Sequence, residues 1–141
     1  MTWTHNGQTY TSKAYASAIV DSPTKLIIMA APDGDNSKVV SLVLYNLDTK
    51  GAGTYDLARG TVLNDYSCAA LTLDGTSGQG AMYNTLYGPA TSNGTINVTK
   101  YDKAGQKLEG TFTYTGGPVA YTSASGTQTV SNGSFNFRKL R

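Results

Sequence analysis

Residues 94–116 read GTINVTKYDKAGQKLEGTFTYTG, and the hydrophobic pattern of this stretch decides the fold class. Ile96 and Val98 alternate with Thr95, Asn97 and Thr99, while Leu108, Gly110, Phe112 and Tyr114 alternate with Lys107, Glu109, Thr111 and Thr113. A period of two sends successive side chains to opposite faces, which is the pattern of a half-buried strand. Between the arms, residues 102–106 form a short polar linker in which Gly105 is expected to take the φ > 0 position of a bulged hairpin loop. The two arms are expected to pair antiparallel.

The same grammar extends outward in both directions. Asn6-Gly7, between Trp3-Thr4-His5 and Gln8-Thr9-Tyr10, predicts an opening hairpin, and Asn132-Gly133 predicts a closing one between residues 127–131 and 134–140. Strands are expected at 14–20, 25–31, 38–47, 53–57, 68–73 and 80–86, separated by Gly-, Pro-, Asn- and Asp-rich turns. Leu26 to Met29 and Val39 to Leu44 are apolar on both sides, so these strands are expected to be central with both faces covered, or to belong to an interface. No segment sustains a helical period. About ten short strands at regular spacing predict an all-β fold, an antiparallel β-sandwich or flattened barrel. The length of 141 residues suits one domain spanning 1–141, with a core that needs no disulfide or metal.

Composition narrows the function classes. Only 14% of residues are charged, against roughly 25% in average soluble proteins, and Thr, Ser, Asn and Gly fill the polar positions. That balance suits an exported β-protein. The net charge of +2 is scattered, apart from Arg138, Lys139 and Arg141 at the end, so no nucleic-acid partner is expected and the terminal cluster reads as a frayed, solvated tail. No run approaches the roughly 18 apolar residues of a membrane span. The single cysteine, Cys68, reads as a small buried hydrophobe.

Chemistry-bearing residues are few. One His, one Cys and one Glu leave no serine triad, no zinc set and no cofactor motif, and neither a cofactor nor enzymatic activity is expected. His5 reads as exposed or paired across a hairpin, and Glu109 as a member of a cross-strand charge pair. Asp33-Gly34-Asp35-Asn36 offers oxygen ligands to a hard cation, but the same residues make a plain turn by bonding their own backbone. Sequons begin at Asn93, Asn97 and Asn132. Trp3, Tyr10, Tyr83, Tyr87 and Tyr121 lie near expected turns and are the candidate rings for stacking on a sugar. The functional surface is expected in loops 32–37, 85–92 and 116–126.

Trp3 to Tyr10, Gly53-Thr54-Tyr55-Asp56-Leu57, Gly94-Thr95-Ile96, Gly110-Thr111-Phe112 and Val130-Ser131-Asn132-Gly133-Ser134-Phe135-Asn136 together resemble a family of uncharacterised exported lipoprotein domains of Bacteroidota. The resemblance implies an all-β domain on the cell envelope or outside the cell, with a lipid anchor upstream, and no assigned activity. The leading expectation is a non-enzymatic surface module that binds a glycan or protein or serves a structural role. The alternatives are a lipocalin-like carrier of an apolar ligand, built on Ile28, Met29, Leu42 and Leu44, and a self-assembling subunit forming a homo-oligomer.

Overall fold

A computed structural model describes residues 1–60, 66–74 and 80–141. Eleven strands lie among the described residues. They are β1 (Thr2–His5), β2 (Gln8–Thr11), β3 (Ala16–Ser22), β4 (Lys25–Ala30), β5 (Lys38–Tyr45), β6 (Gly53–Ala58), β7 (Cys68–Leu73), β8 (Ala81–Asn84), β9 (Ser92–Asp102), β10 (Lys107–Pro118) and β11 (Gln128–Phe137). A single helical turn, α1 (Leu47–Lys50), links β5 to β6, and a 3₁₀ turn (Thr85–Tyr87) follows β8.

All pairings are antiparallel and the strands form one curled sheet, a half-barrel. One half runs β6-β9-β10-β11-β1-β2, the other β8-β7-β5-β4-β3. Strand β10 belongs to both: its first ten residues pair with β9 and β11, then Gly117 and Pro118 pair with Asn84 and Tyr83 of β8. Gly116 and Gly117 make that passage possible, because a Cβ at Gly117 would lie 1.8 Å from the Tyr87 carbonyl oxygen. At the opposite side the segment after β11 joins the halves again. The Arg141 N–H donates to the Ala18 carbonyl at 2.9 Å, and its carbonyl accepts from the Val20 N–H at 2.7 Å. The expected frayed tail is therefore a strap along the edge of β3, anchored by buried Leu140.

One hydrophobic cluster fills the space between the halves, with Trp3, Tyr55, Ile96, Leu108, Phe112 and Phe135 from one and Ile28, Val40, Leu42, Leu44 and Leu71 from the other. Tyr114 crosses it, its hydroxyl donating to the Ala70 carbonyl at 2.8 Å. Along β10 and β11 glycines face phenylalanines, Gly110 opposite Phe135 and Gly133 opposite Phe112. Each ring lies over the glycine it faces, so a Cβ at either glycine would come within 2.5 Å of that ring. The rings of Phe137, Phe135, Phe112 and Tyr114 follow one another at 6.3 Å between centroids.

Two further expectations differ from the structure. Asn132-Gly133 makes no hairpin: β11 runs straight through it, and Asn132, at φ 49°, is absorbed as a bulge in which Ser131 and Asn132 together stand opposite Thr113. In the loop after β9, Gln106 rather than Gly105 takes the positive φ, at 54°, while the Gly105 N–H donates to the Asp102 carboxylate at 2.8 Å. The two-sided apolar strands β4 and β5 lie inside their half-sheet, as expected, and among the described residues their outer face is only partly covered. Met29 is 44% exposed there, and Ile19 and Met82 also present surface.

Candidate functional site

The five candidate rings do not assemble. Trp3 is 0% exposed and stacks on half-buried Tyr10 at 5.9 Å, with the Lys38 ammonium over the Tyr10 ring at 5.4 Å. Tyr83 is buried, and its hydroxyl exchanges hydrogen bonds with the Ser125 backbone at 3.2 and 3.4 Å, pinning the 116–126 loop. Neither Trp3 nor Tyr83 can offer a face to a sugar, because strand alternation turns both into the core. Tyr87 is partly exposed, and Tyr121 presents its whole ring at φ 64° on a separate loop.

Other singled-out groups serve the fold. His5 is buried, and its Nε2 bonds the Gln128 Oε1 at 2.7 Å across β1 and β11. Asp33 accepts from the Lys13 and Ala14 N–H groups at 2.9 to 3.1 Å, which holds its carboxyl below the usual aspartate range. Asp35 accepts from the Ser37 N–H at 2.8 Å, again in turn fashion. Burial pushes the Cys68 thiol up, away from the reactive thiolate. Asn93 is buried, donating to the Thr85 and Ala90 carbonyls, so this sequon asparagine is part of the core.

What the structure assembles instead is the outer face of the β6-β9-β10-β11-β1-β2 half-sheet. Register brings Thr54, Asn97, Thr111, Ser134, Thr2 and Thr11 into one row across six strands. At about 4.8 Å between strands the row runs roughly 24 Å. A second row contains Asp56, Thr95 and Thr113, then Ser131, Thr4 and Thr9 beyond the bulge. Thr115 and Thr129 form a further pair, their hydroxyls 2.9 Å apart. Thr2 and Ser134 are linked at 2.8 Å, and Thr4 and Thr9 at 3.2 Å.

This face is grooved along β10. A depression of about 390 Å³ between Thr2, Thr99, Glu109, Thr111 and Asn136 shares Thr111 and Ser134 with one of about 410 Å³ at the bulge, floored by Phe112 and Gly133. That second depression shares Thr113 with a third of about 230 Å³ at Pro89, Ser92 and Thr115. From Glu109 to Thr115 the trough is roughly 20 Å long at about 3.4 Å per residue. Neutral hydroxyls and amides able to donate and accept make up most of its polar lining, beside Phe112, Pro89 and Ala90. The carboxylates of this face are engaged: Asp56, two strands from β10 in the Thr113 row, bonds the Ser92 hydroxyl, and Glu109 pairs with Arg138 at 3.3 Å.

Beyond the Glu109 end, a groove of about 450 Å³ shares Met1 and Asn136 with the trough and is lined by Ser12, Lys13, Ala16, Ser17, Ala18, Phe137, Arg138, Lys139 and Arg141. Comparison with protein-family models, with curated proteins and with solved structures returns no match. The site therefore has to be read from its own chemistry.

Loops 32–37 and 116–126 and the five rings, where the sequence places candidate contacts, do not form this face, and loop 85–92 reaches it only at Pro89, Ala90 and Ser92. The hydroxyl positions were visible as the polar half of each alternation. Their alignment was not, because it depends on which strands pair and in what register.

Proposed function

We propose that the chain is a non-enzymatic binding module, exported or carried on the cell envelope, whose ligand is a glycan chain laid along β10 in the threonine-lined trough. The observation that carries this reading is the trough itself, an extended depression walled by neutral groups that donate and accept hydrogen bonds. A polyhydroxyl chain presents the same two-way chemistry, and neutral hydroxyls lose less on desolvation than charges do. Rigid strands hold the groups in place, so little order has to be imposed on binding. The core is filled by Ile28, Leu42, Leu44 and Leu71, each with 0% exposure, which favours a surface site over an interior one. The carboxylates near the trough are engaged with Arg138 and Ser92, which supports binding over hydrolysis. The exported setting rests on the low charge and on the resemblance to envelope lipoprotein domains.

A glycan microarray with wild type and a Thr111→Lys/Thr113→Lys variant tests the proposal. Both positions are exposed strand residues, so the variant folds with little loss of stability. Retention of at least one oligosaccharide class by wild type, lost in the variant, is the expected outcome. Equal retention by both proteins, or none by either, contradicts the reading.

A further inference from the structure

The groove beyond the Glu109 end is chemically unlike the trough it adjoins. Among the described residues, Lys13, Arg138, Lys139 and Arg141 line it, and no acidic side chain does. Asp33 accepts from the Lys13 and Ala14 N–H groups, and Glu109 pairs with Arg138. Ser12, also in the lining, is fully buried, and its Oγ has no hydrogen-bond partner among the described residues. A buried hydroxyl without a partner is costly, which points to a group that the groove is built to receive. The backbone carrying these cations is held by the fold: the Lys13 N–H donates to Asp33, and the 138–141 strap is bonded to β3.

We infer that this groove is an oxyanion subsite, and that the glycan in the trough is an acidic one whose carboxylate or sulfate ester seats among Lys13, Lys139, Arg141 and the Ser12 hydroxyl. The inference rests on the trough reading. It follows from continuity, since Met1 and Asn136 line both depressions, and a chain that leaves β10 at Glu109 and crosses its neighbour Asn136 on β11 enters the groove. One or two charge-assisted hydrogen bonds there are worth about tenfold or more in affinity, a gain that falls with added salt.

Affinity electrophoresis with two matched pairs of polymers tests it: polygalacturonate against its methyl-esterified form, and dextran sulfate against dextran. The result expected is that wild type binds at least one acidic member about tenfold or more tightly than its neutral counterpart. The pair that differs identifies carboxylate or sulfate. A Lys13→Gln/Lys139→Gln/Arg141→Gln variant is expected to lose that excess while keeping wild-type affinity for the neutral member. Equal binding of the two members of both pairs, or an excess that survives in the variant, overturns the subsite and leaves the trough reading intact. Binding to none of the four polymers overturns the subsite, while the trough reading is decided by the microarray, and polyglutamate binding as tight as the best acidic polymer reduces the groove to a general charge effect and overturns the subsite.

Discussion

Asn-Gly stands at 6–7 and again at 132–133, and the glycine serves a different purpose in each. Gly7 has φ 75° with nothing near a Cβ, so the requirement is conformational. Gly133 lies under the Phe112 ring, whose atoms would be 2.5 Å from a Cβ, so the requirement is space. Gly7→Ala is expected to cost about 1 kcal/mol, the strain of a left-handed residue with a side chain. Gly133→Ala is expected to cost about 1–3 kcal/mol by overpacking. Combining each with Phe112→Leu separates the causes in urea titrations. The pair at 133 should be non-additive, the double variant recovering about 1 kcal/mol, and the pair at 7 additive. Additivity at 133 contradicts the packing account. The dipeptide reads identically in both places because local sequence carries the φ preference but not the neighbour. The bulge is decided by β10 and β1 on either side of β11, which hold it as one strand and leave no sheet edge for a hairpin to supply.

At the scale of elements, strand positions were legible and partners were not. Period-two alternation marks β9 and β10 to within a few residues, since the alternation itself is written in adjacent residues. That β10 leaves one half-sheet for the other, and that residues 138–141 fasten β3, depends on contacts across the whole sequence. Leu140→Ala removes the anchor of this strap and is expected to destabilise by about 2 kcal/mol or more. Hydrogen exchange at the Val20 amide should accelerate more than at Leu42 in the middle of β5. Uniform acceleration would mean that the strap is not a separate unit. The loop after β4 is held to the end of β2 by the Asp33 carboxylate, whose pKa is lowered by the backbone N–H groups it accepts from. A lowered folded-state pKa contributes stability that is present above the unfolded value, near 3.9, and is lost as the pH falls through the folded one. Thermal midpoints between pH 6 and pH 2 should therefore fall less steeply for Asp33→Asn than for wild type. Identical slopes would remove Asp33 from the acid response.

For the whole molecule, the curled sheet has two outer faces of opposite character. One is partly apolar around Ile19 and Met29, while the other carries aligned threonines, serines and asparagines and adjoins the basic groove. The candidate rings failed as a platform because alternation buries Trp3 and Tyr83, and the hydroxyl face emerged because six strands share one register. The central claim is that this face along β10 receives the ligand. Amide chemical-shift mapping of the labelled chain, titrated with the oligosaccharide best retained on the microarray, tests it most directly. Shifts concentrated on Asn97, Thr111, Thr113 and Ser134, extending toward Asn136, are expected. Shifts confined to the 32–37 and 116–126 loops, with β10 unmoved, would contradict it.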